Sequence, residues 1–315
     1  MNSKNTNLQN AKNAKNDEFY TQLTDIEKEI YHYRNHFKDK IIFCNCDDPK
    51  KSEFWKYFHM NFNFFGLKKL ISTHYDTTQP TYKMEYTGGN DTDFDAGTIT
   101  NLLGNGDFRS PECIELLKEC DIVVTNPPFS LFREYLPTLM QYEKQFIVVG
   151  NVNAIAYKKI FPLIKDNKIW LGCSRPNDFM TPRGETVKLG GICRWFTNLY
   201  VTKRNQTLDL IEKYTPEKYP KYVNYDAINV DKVSDIPVDY DGVMGVPITF
   251  IDKFNPEQFE IIDCYAPCIQ LSILEKNANF KPYGSRQIIR NGIICQQTYN
   301  RLFIQRIKGD DDYEK

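Results

Sequence analysis

The residues of this chain best suited to chemistry are Asn126, Pro127, Pro128 and Phe129, which follow Asp121-Ile122-Val123-Val124-Thr125 and precede Ser130. An aromatic amino group is a poor nucleophile because its lone pair is delocalised into the ring. The Asn126 carboxamide oxygen and the Pro127 carbonyl offer two fixed acceptors that would bond both amino hydrogens and turn the lone pair outward. Phe129 would stack on the face of a planar base and hold it at attack distance. The tetrapeptide therefore suits methyl transfer onto a planar amino group. No carboxylate base is needed, since the nitrogen sheds its proton after the methyl arrives. The dipeptide alone would also serve as a turn that merely ends a strand, but a chance match of the whole pattern need not fall between a strand and a helix as this one does.

Ile122 to Thr125 are β-favouring, and two prolines without N–H groups stop the strand abruptly. Leu131, Phe132, Tyr135, Leu136, Leu139 and Met140 then recur at helical spacing. Upstream, Thr24 or Asp25 caps a helix carrying Ile26, Ile30, Tyr33 and Phe37. Residues 40–46 read as the first buried strand, followed by a helix with Phe54, Trp55, Phe58 and Phe62 and a second strand over 67–74. Residues 77–98 are irregular, with Gly88-Gly89-Asn90-Asp91 as a turn between two short strands. Residues 100–103 form a strand leading to a glycine-bearing loop, and Ile114, Leu117 and Cys120 mark the helix before the central strand. A fifth strand over 145–150 precedes a helix with Ile155, Ile160 and Ile164; strands over 168–172 and 192–201 are separated by a Pro/Gly-bearing loop. This alternation predicts an α/β fold with a mainly parallel sheet covered by helices on both faces. Ligands of such sheets sit beyond the carboxyl ends of the strands, where Asn126 to Phe129 would lie.

Three other strand ends carry acidic residues. Asp47-Asp48-Pro49 lacks the glycines that bring backbone amides against a pyrophosphate, so it suits an ammonium such as that of S-adenosylmethionine better than a dinucleotide; an Asp there also serves as a helix N-cap. Asp76, after the second strand, is placed to accept from ribose hydroxyls. Asp107 and Phe108 would bond an adenine amino group and cover its ring.

The 315 residues hold one large domain or two modest ones, and a net charge of −1 leaves any nucleic-acid surface to local patches. Nine cysteines without C-x-x-C spacing point to free thiols and no metal site. No apolar run approaches the ~18 residues of a membrane span, nor does the start have a signal-peptide core, so a cytoplasmic protein is expected. Residues 1–16, rich in Asn and Lys, are expected to be a disordered tail. Between residues 158 and 221 the charges are mostly basic, among them Arg175, Lys188, Arg194, Lys203 and Lys218. They interleave with Trp195, Tyr200, Tyr214, Tyr219 and Tyr222 as a phosphate-contacting surface would. Residues 281–308 carry Arg286, Arg290, Arg301 and Arg306 and read as a strand pair turning at Asn291-Gly292.

Read together, these blocks resemble the EcoRI-type adenine-specific DNA methyltransferases. The likeness extends to Asp17-Glu18-Phe19-Tyr20-Thr21, Cys44-Asn45-Cys46-Asp47-Asp48-Pro49, Gly104 to Ser110 and Asp241 to Pro247. It implies a Rossmann-like sheet binding S-adenosylmethionine over residues 17–202 and a target-recognition region over 203–315. Phe19, Tyr20 and Thr21 would contact the methionine end of the cofactor. Cys46, Asp47 and Asp48 fall in the first cofactor motif, Asp107 and Phe108 in the adenine-binding motif, and Asn126 to Phe129 in the catalytic one. The chain departs from many methyltransferases in having no glycine-rich first motif. The resemblance implies double-stranded DNA as substrate, a flipped-out adenine, a restriction-modification or orphan modification setting, and a cognate endonuclease in the former case. GAATTC is the recognition sequence it offers; the oligomeric state does not follow from the residues or the resemblance, with a monomer as the working expectation. Two rivals stay open on the residues alone: methylation of a glutamine amide in a protein, and a non-catalytic DNA-binding module that keeps the sheet.

Overall fold

The computed structural model describes residues 20–89, 93, 96–181, 184–223, 225–265, 287–290, 293–296 and 300–307. Phe19, the expected tail, and the Asn291-Gly292 turn lie outside them. The chain divides into two compact units, one of residues within Met1–Ala154 and Ile169–Val201, the other of Ile155–Lys168 and Thr202–Lys315.

The first unit runs β1 (Tyr20–Thr21), α1 (Leu23–Ile30), β2 (Ile41–Cys44), α2 (Glu53–Met60), α3 (Phe62–Phe65), β3 (Lys69–Thr73), β4 (Tyr82–Tyr86) and β5 (Thr98–Asn101). It continues with α4 (Pro111–Glu119), β6 (Ile122–Thr125), α5 (Phe132–Gln141), β7 (Gln145–Asn151), β8 (Trp170–Leu171), β9 (Asp178–Met180), β10 (Thr186–Lys188) and β11 (Cys193–Thr197). Its main sheet has the order β5-β4-β3-β2-β6-β7-β11-β8. The neighbours β3-β2-β6-β7 pair parallel, whereas the pairings of β4 with β3 and β5 on one side and of β11 with β7 and β8 on the other are antiparallel. The expectation of a mainly parallel sheet is corrected to a mixed one. The cause is connection length: a parallel crossover needs about a dozen residues or more, and the stretch between Thr73 and Tyr82 is too short to hold a helix.

The central strands β2, β6 and β7 are buried on both faces, which explains their near-continuous apolar runs, whereas β5 at the edge is exposed. Ile42, Cys44, Ile122, Val124, Ile147 and Val149 join a core with Ile26 and Ile30 of α1 and Phe54, Trp55 and Phe58 of α2. The intervening Phe43, Val123, Phe146 and Val148 are buried as well. On their side Phe196, paired with Val148, meets Phe132 of α5 at 5.1 Å between ring centroids.

Local expectations differ in four places. α1 has no side-chain cap; Asp25 instead accepts from the backbone N–H groups of Asn177 (2.7 Å) and Asp178 (2.8 Å). The aromatic helix breaks after Met60, and α3 ends at Gly66 in a left-handed conformation (φ +62°). The loop after β8 holds β9 and β10, which pair with β1 into a separate three-stranded sheet. The aromatic and basic residues read as a phosphate surface are partly core: Trp195, Tyr219 and Tyr222 are buried, as is Arg194, whose guanidinium donates to the Cys193 and Gly190 carbonyls.

A 3-10 turn (Val152–Ala156) that runs from the first unit into the second, and α6 (Phe161–Lys165) in the second, stand in place of the expected single helix, Pro162 falling in the first turn of α6. The second unit continues with β12 (Ala227–Asn229), β13 (Val243–Pro247), β14 (Phe259–Tyr265), β15 (Gln287–Arg290), β16 (Ile293–Gln296) and β17 (Arg301–Arg306). A four-stranded sheet has the order β12-β13-β17-β14, and β15 and β16 pair antiparallel, matching the strand pair read from the sequence. Tyr222 lies so close over β13 that a Cβ at Gly245 would approach its hydroxyl to 2.3 Å.

Candidate active site

Because β2, β3 and β6 are parallel, the loops after them emerge at one end of the sheet. The chain passes from β2 to β3 on one side and returns to β6 on the other, so a crevice opens at this reversal of strand order. A cavity of about 490 Å³ lies there, a size usual for small-molecule sites. Tyr20, Cys46, Asp47, Asp48, Asp76, Asp107, Phe108, Asn126, Pro127, Pro128 and Phe129 all line it. Thr21 does not: it is buried in β1 opposite Phe179.

The Asn126 loop leaves β6 as a stiff turn. Its Pro128 carbonyl accepts from Leu131 N–H (3.0 Å) and its Phe129 carbonyl from Phe132 N–H (3.4 Å), closing the turn that starts α5. The Pro127 carbonyl accepts nothing from the described residues. Asn126 Oδ1 is shielded from solvent, and Phe129 is half-buried against the core shared with α1 and α2. Two acceptors and a ring are thereby held at one strand tip.

Asp47 and Asp48 have divergent surroundings. Asp47 is 5 % exposed. Its Oδ1 accepts from Ser52 Oγ at 2.9 Å, and its Oδ2 from Thr125 Oγ1 and from Asn126 N–H at 3.3 Å. Burial lifts its carboxyl to about 6, against the lowering pull of the Thr125, Ser52 and Asn126 hydrogen bonds. A folded pKa above the ordinary 3.8 means the native state binds the proton more tightly. This stabilisation is full below about pH 4 and is lost as pH rises through about 6. Denaturant titrations from pH 4 to 7 should show the stability of the wild type relative to Asp47→Asn falling by on the order of 2–3 kcal/mol. Asp48 is at the cavity wall, where its Oδ1 accepts from Tyr82 Oη (2.8 Å) and its Oδ2 lies 3.5 Å from His74 Nδ1 and 3.7 Å from Lys51 Nζ.

A model of the family described as "Adenine-specific methyltransferase EcoRI" matches residues 7–307. The chain belongs to the EcoRI adenine-specific methyltransferase family. Among its relatives is the Type II methyltransferase M.EcoRI of Escherichia coli, 49 % identical over 292 residues that cover 83 % of this chain and 90 % of that one. Another is the Type II methyltransferase M.MpnI of Mycoplasma pneumoniae, 39 % identical over 322 residues covering 92 % and 98 %. No solved structure matches the chain.

In this methyltransferase the remaining acidic positions are each tied to local partners. Asp76 Oδ1 accepts from Thr78 N–H (2.7 Å), Thr78 Oγ1 (2.9 Å) and Gln79 N–H (3.0 Å), which hold its carboxyl down at about 2. Its Oδ2 faces His74 Nε2 at 3.9 Å. Asp107 is gripped by Arg109, through Nε at 2.9 Å and Nη2 at 2.8 Å, and Arg109 also donates to Glu134 at 3.0 Å. The Arg109 hydrogen bonds keep Asp107 ionised by lowering its pKa. Phe108 is buried edge-on to Tyr135 at 5.0 Å. Burial pushes the Cys46 thiol well up, so it is no nucleophile.

His74, Tyr75, Lys51 and Asn45 also line the cavity and were not singled out in the sequence. Their shared signal is position, one to three residues past a parallel strand or in the turn before α2. Gly106 is required by geometry: its φ is +74°, and a Cβ would lie 2.2 Å from the His74 carbonyl oxygen. Gly106→Ala should destabilise the fold by at least about 1 kcal/mol in denaturant titration, because both the left-handed backbone and the contact with β3's exit are disturbed. Among the described residues no cluster of three or more His, Cys, Asp or Glu could hold a metal, and no helix is long and apolar enough to cross a membrane.

Proposed function

We propose that this chain is an S-adenosylmethionine-dependent DNA methyltransferase acting on the exocyclic amino group of an adenine. The observation that carries the reading is the juxtaposition, in one cavity, of Asn126 to Phe129 with the acidic, glycine-poor loop at Asp48. Family membership supports it, as the family's description is adenine-specific.

The cavity suits the cofactor on charge. Asp48, Asp76 and Asp107 line it, while the Arg109 guanidinium is already held by two carboxylates. An ammonium-bearing nucleoside without phosphate fits such walls, and a pyrophosphate does not. Asp48 would hold the ammonium, Asp76 Oδ2 a ribose hydroxyl, and Asp107 with Phe108 the adenine. When bound, S-adenosylmethionine supplies a methyl group made electrophilic by its sulfonium.

The chain's own residues then prepare the acceptor. The target adenine is flipped from the duplex and stacks on Phe129. Asn126 Oδ1 and the Pro127 carbonyl accept its two amino hydrogens, so the nitrogen lone pair points along the attack direction. The region from residue 203 onward reads the flanking sequence in double-stranded DNA. A cognate endonuclease for the same sequence is the partner this reading anticipates.

DNA from cells expressing the wild-type protein, compared with DNA from cells expressing Asn126→Ala, tests the proposal. N6-methyladenine at one recurring sequence only with the wild type supports it. Equal adenine methylation in both, or none in either, contradicts it.

A further inference from the structure

Asp47 faces away from the role its place in the sequence implies. Both carboxylate oxygens are taken from within the protein: Oδ1 by Ser52 Oγ, Oδ2 by Thr125 Oγ1 and the Asn126 backbone N–H. Its own carbonyl accepts from Ser72 Oγ in β3. Ser52 Oγ in turn accepts from Phe54 N–H as the N-cap of α2, and Thr125 Oγ1 accepts from Cys46 N–H at 3.2 Å. One buried side chain thus joins the tips of β2 and β6 to the start of α2, while the main chain beside it is tied to β3. Within the tetrapeptide, this network grips the Asn126 peptide directly, through its N–H on Asp47 Oδ2.

Resting on the proposed reading of the cleft, we infer that Asp47 is a positioning residue that sets Asn126 against the cofactor loop, not a partner of the cofactor's ammonium. The distinction is chemical. An ammonium partner must carry negative charge, whereas a positioning residue needs only acceptors and donors of the right shape. Asparagine at 47 keeps that shape: its oxygen can accept from Thr125 and Asn126, and its amide nitrogen can donate to Ser52 Oγ. Asp48, at the cavity wall beside Lys51 and His74, then remains as the acidic group of this loop for an ammonium.

The test compares the wild type, Asp47→Asn, Asp47→Ala, Thr125→Val and the double variant Asp47→Ala/Thr125→Val. Calorimetric Kd for S-adenosylmethionine and kcat at saturating cofactor and DNA are both measured. Asp47→Asn should stay within about 3-fold of wild type in Kd and about 10-fold in kcat. Asp47→Ala should lose about 100-fold in kcat with Kd within about 3-fold. Thr125→Val should lose about 10-fold in kcat, and the double variant no more than Asp47→Ala alone, because the two side chains act through one contact. A rise in Kd of about 30-fold or more for Asp47→Asn at unchanged kcat would overturn the inference, since only a charge partner behaves so. Full kcat in Asp47→Ala would overturn it too. Should Asp47→Ala not fold, Asp47→Asn and Thr125→Val still decide between the outcomes. A wild type that binds the cofactor yet methylates no DNA removes the underlying reading instead, and is told apart by that first measurement.

Discussion

Asn126→Ala is expected to lower kcat by about 100-fold or more while leaving cofactor affinity within a few-fold of wild type. The methyl acceptor is activated only when its lone pair is freed from the ring. The Asn126 carboxamide is the one side-chain acceptor in the tetrapeptide that can do this; prolines and Phe129 offer backbone and ring. Truncation leaves the Asn126 N–H bond to Asp47 in place, so the loop keeps its path. The loss should therefore fall on turnover and not on binding. Single-turnover methylation with calorimetric cofactor Kd measures both. Asn126→Asp separates geometry from chemistry, because it keeps an acceptor of similar shape while adding a charge beside the incoming base.

The largest stability effect is expected at Glu29, far from any ligand. This glutamate is fully buried in α1, and its carboxylate accepts from Tyr33 Oη (2.7 Å), Cys173 N–H (2.8 Å), Ser174 N–H (2.6 Å) and Ser174 Oγ (2.7 Å). A Cβ at Gly172 would stand 2.1 Å from Glu29 Oε1, so the loop is shaped around the carboxylate. Glu29→Ala strips partners from two half-buried backbone donors and from the Tyr33 hydroxyl and leaves a hole, at a cost of about 3–5 kcal/mol. For a unit of this size the melting temperature should drop by roughly 6–20 °C. Glu29→Gln should destabilise less but measurably, since its amide N–H₂ would confront another N–H. The consequence reaches the site: the 172–178 loop leads into β9, which pairs with β1, and β1 carries Tyr20 into the cavity.

Much of the site was legible because its signals are local and backbone-based. Two prolines after Ile122–Thr125 stop a strand whatever surrounds them, and β6 ends there as expected. The spacing of Leu131, Phe132, Tyr135, Leu136 and Leu139 likewise describes α5. What could not be read is which way neighbouring polar side chains point. Asp47 and Asp48 are identical in type, yet one is buried under the Asn126 loop and the other lines the wall among charged partners. The sequence places Asp76 after a strand but does not show that its Oδ1 holds the Thr78 and Gln79 turn, leaving Oδ2 toward the cavity-lining His74. The β9–β10 hairpin escaped notice because Pro176, Pro182, Gly184 and Gly190 punctuate short strands with few apolar residues. Its pairing with β1 is a contact about 160 residues apart in sequence, which no local pattern encodes. Trp195 and Tyr222 illustrate the reverse error: aromatic residues between basic ones imitate a stacking surface, but burial decides, and both are core.

The most direct measurement is transfer of labelled methyl from S-adenosylmethionine to unmethylated genomic DNA by the purified protein, with protein extract as a parallel substrate. Label recovered in DNA as N6-methyladenine, absent with Asn126→Ala, is the predicted result. Label only in protein, or none in DNA although the cofactor binds, would contradict the account.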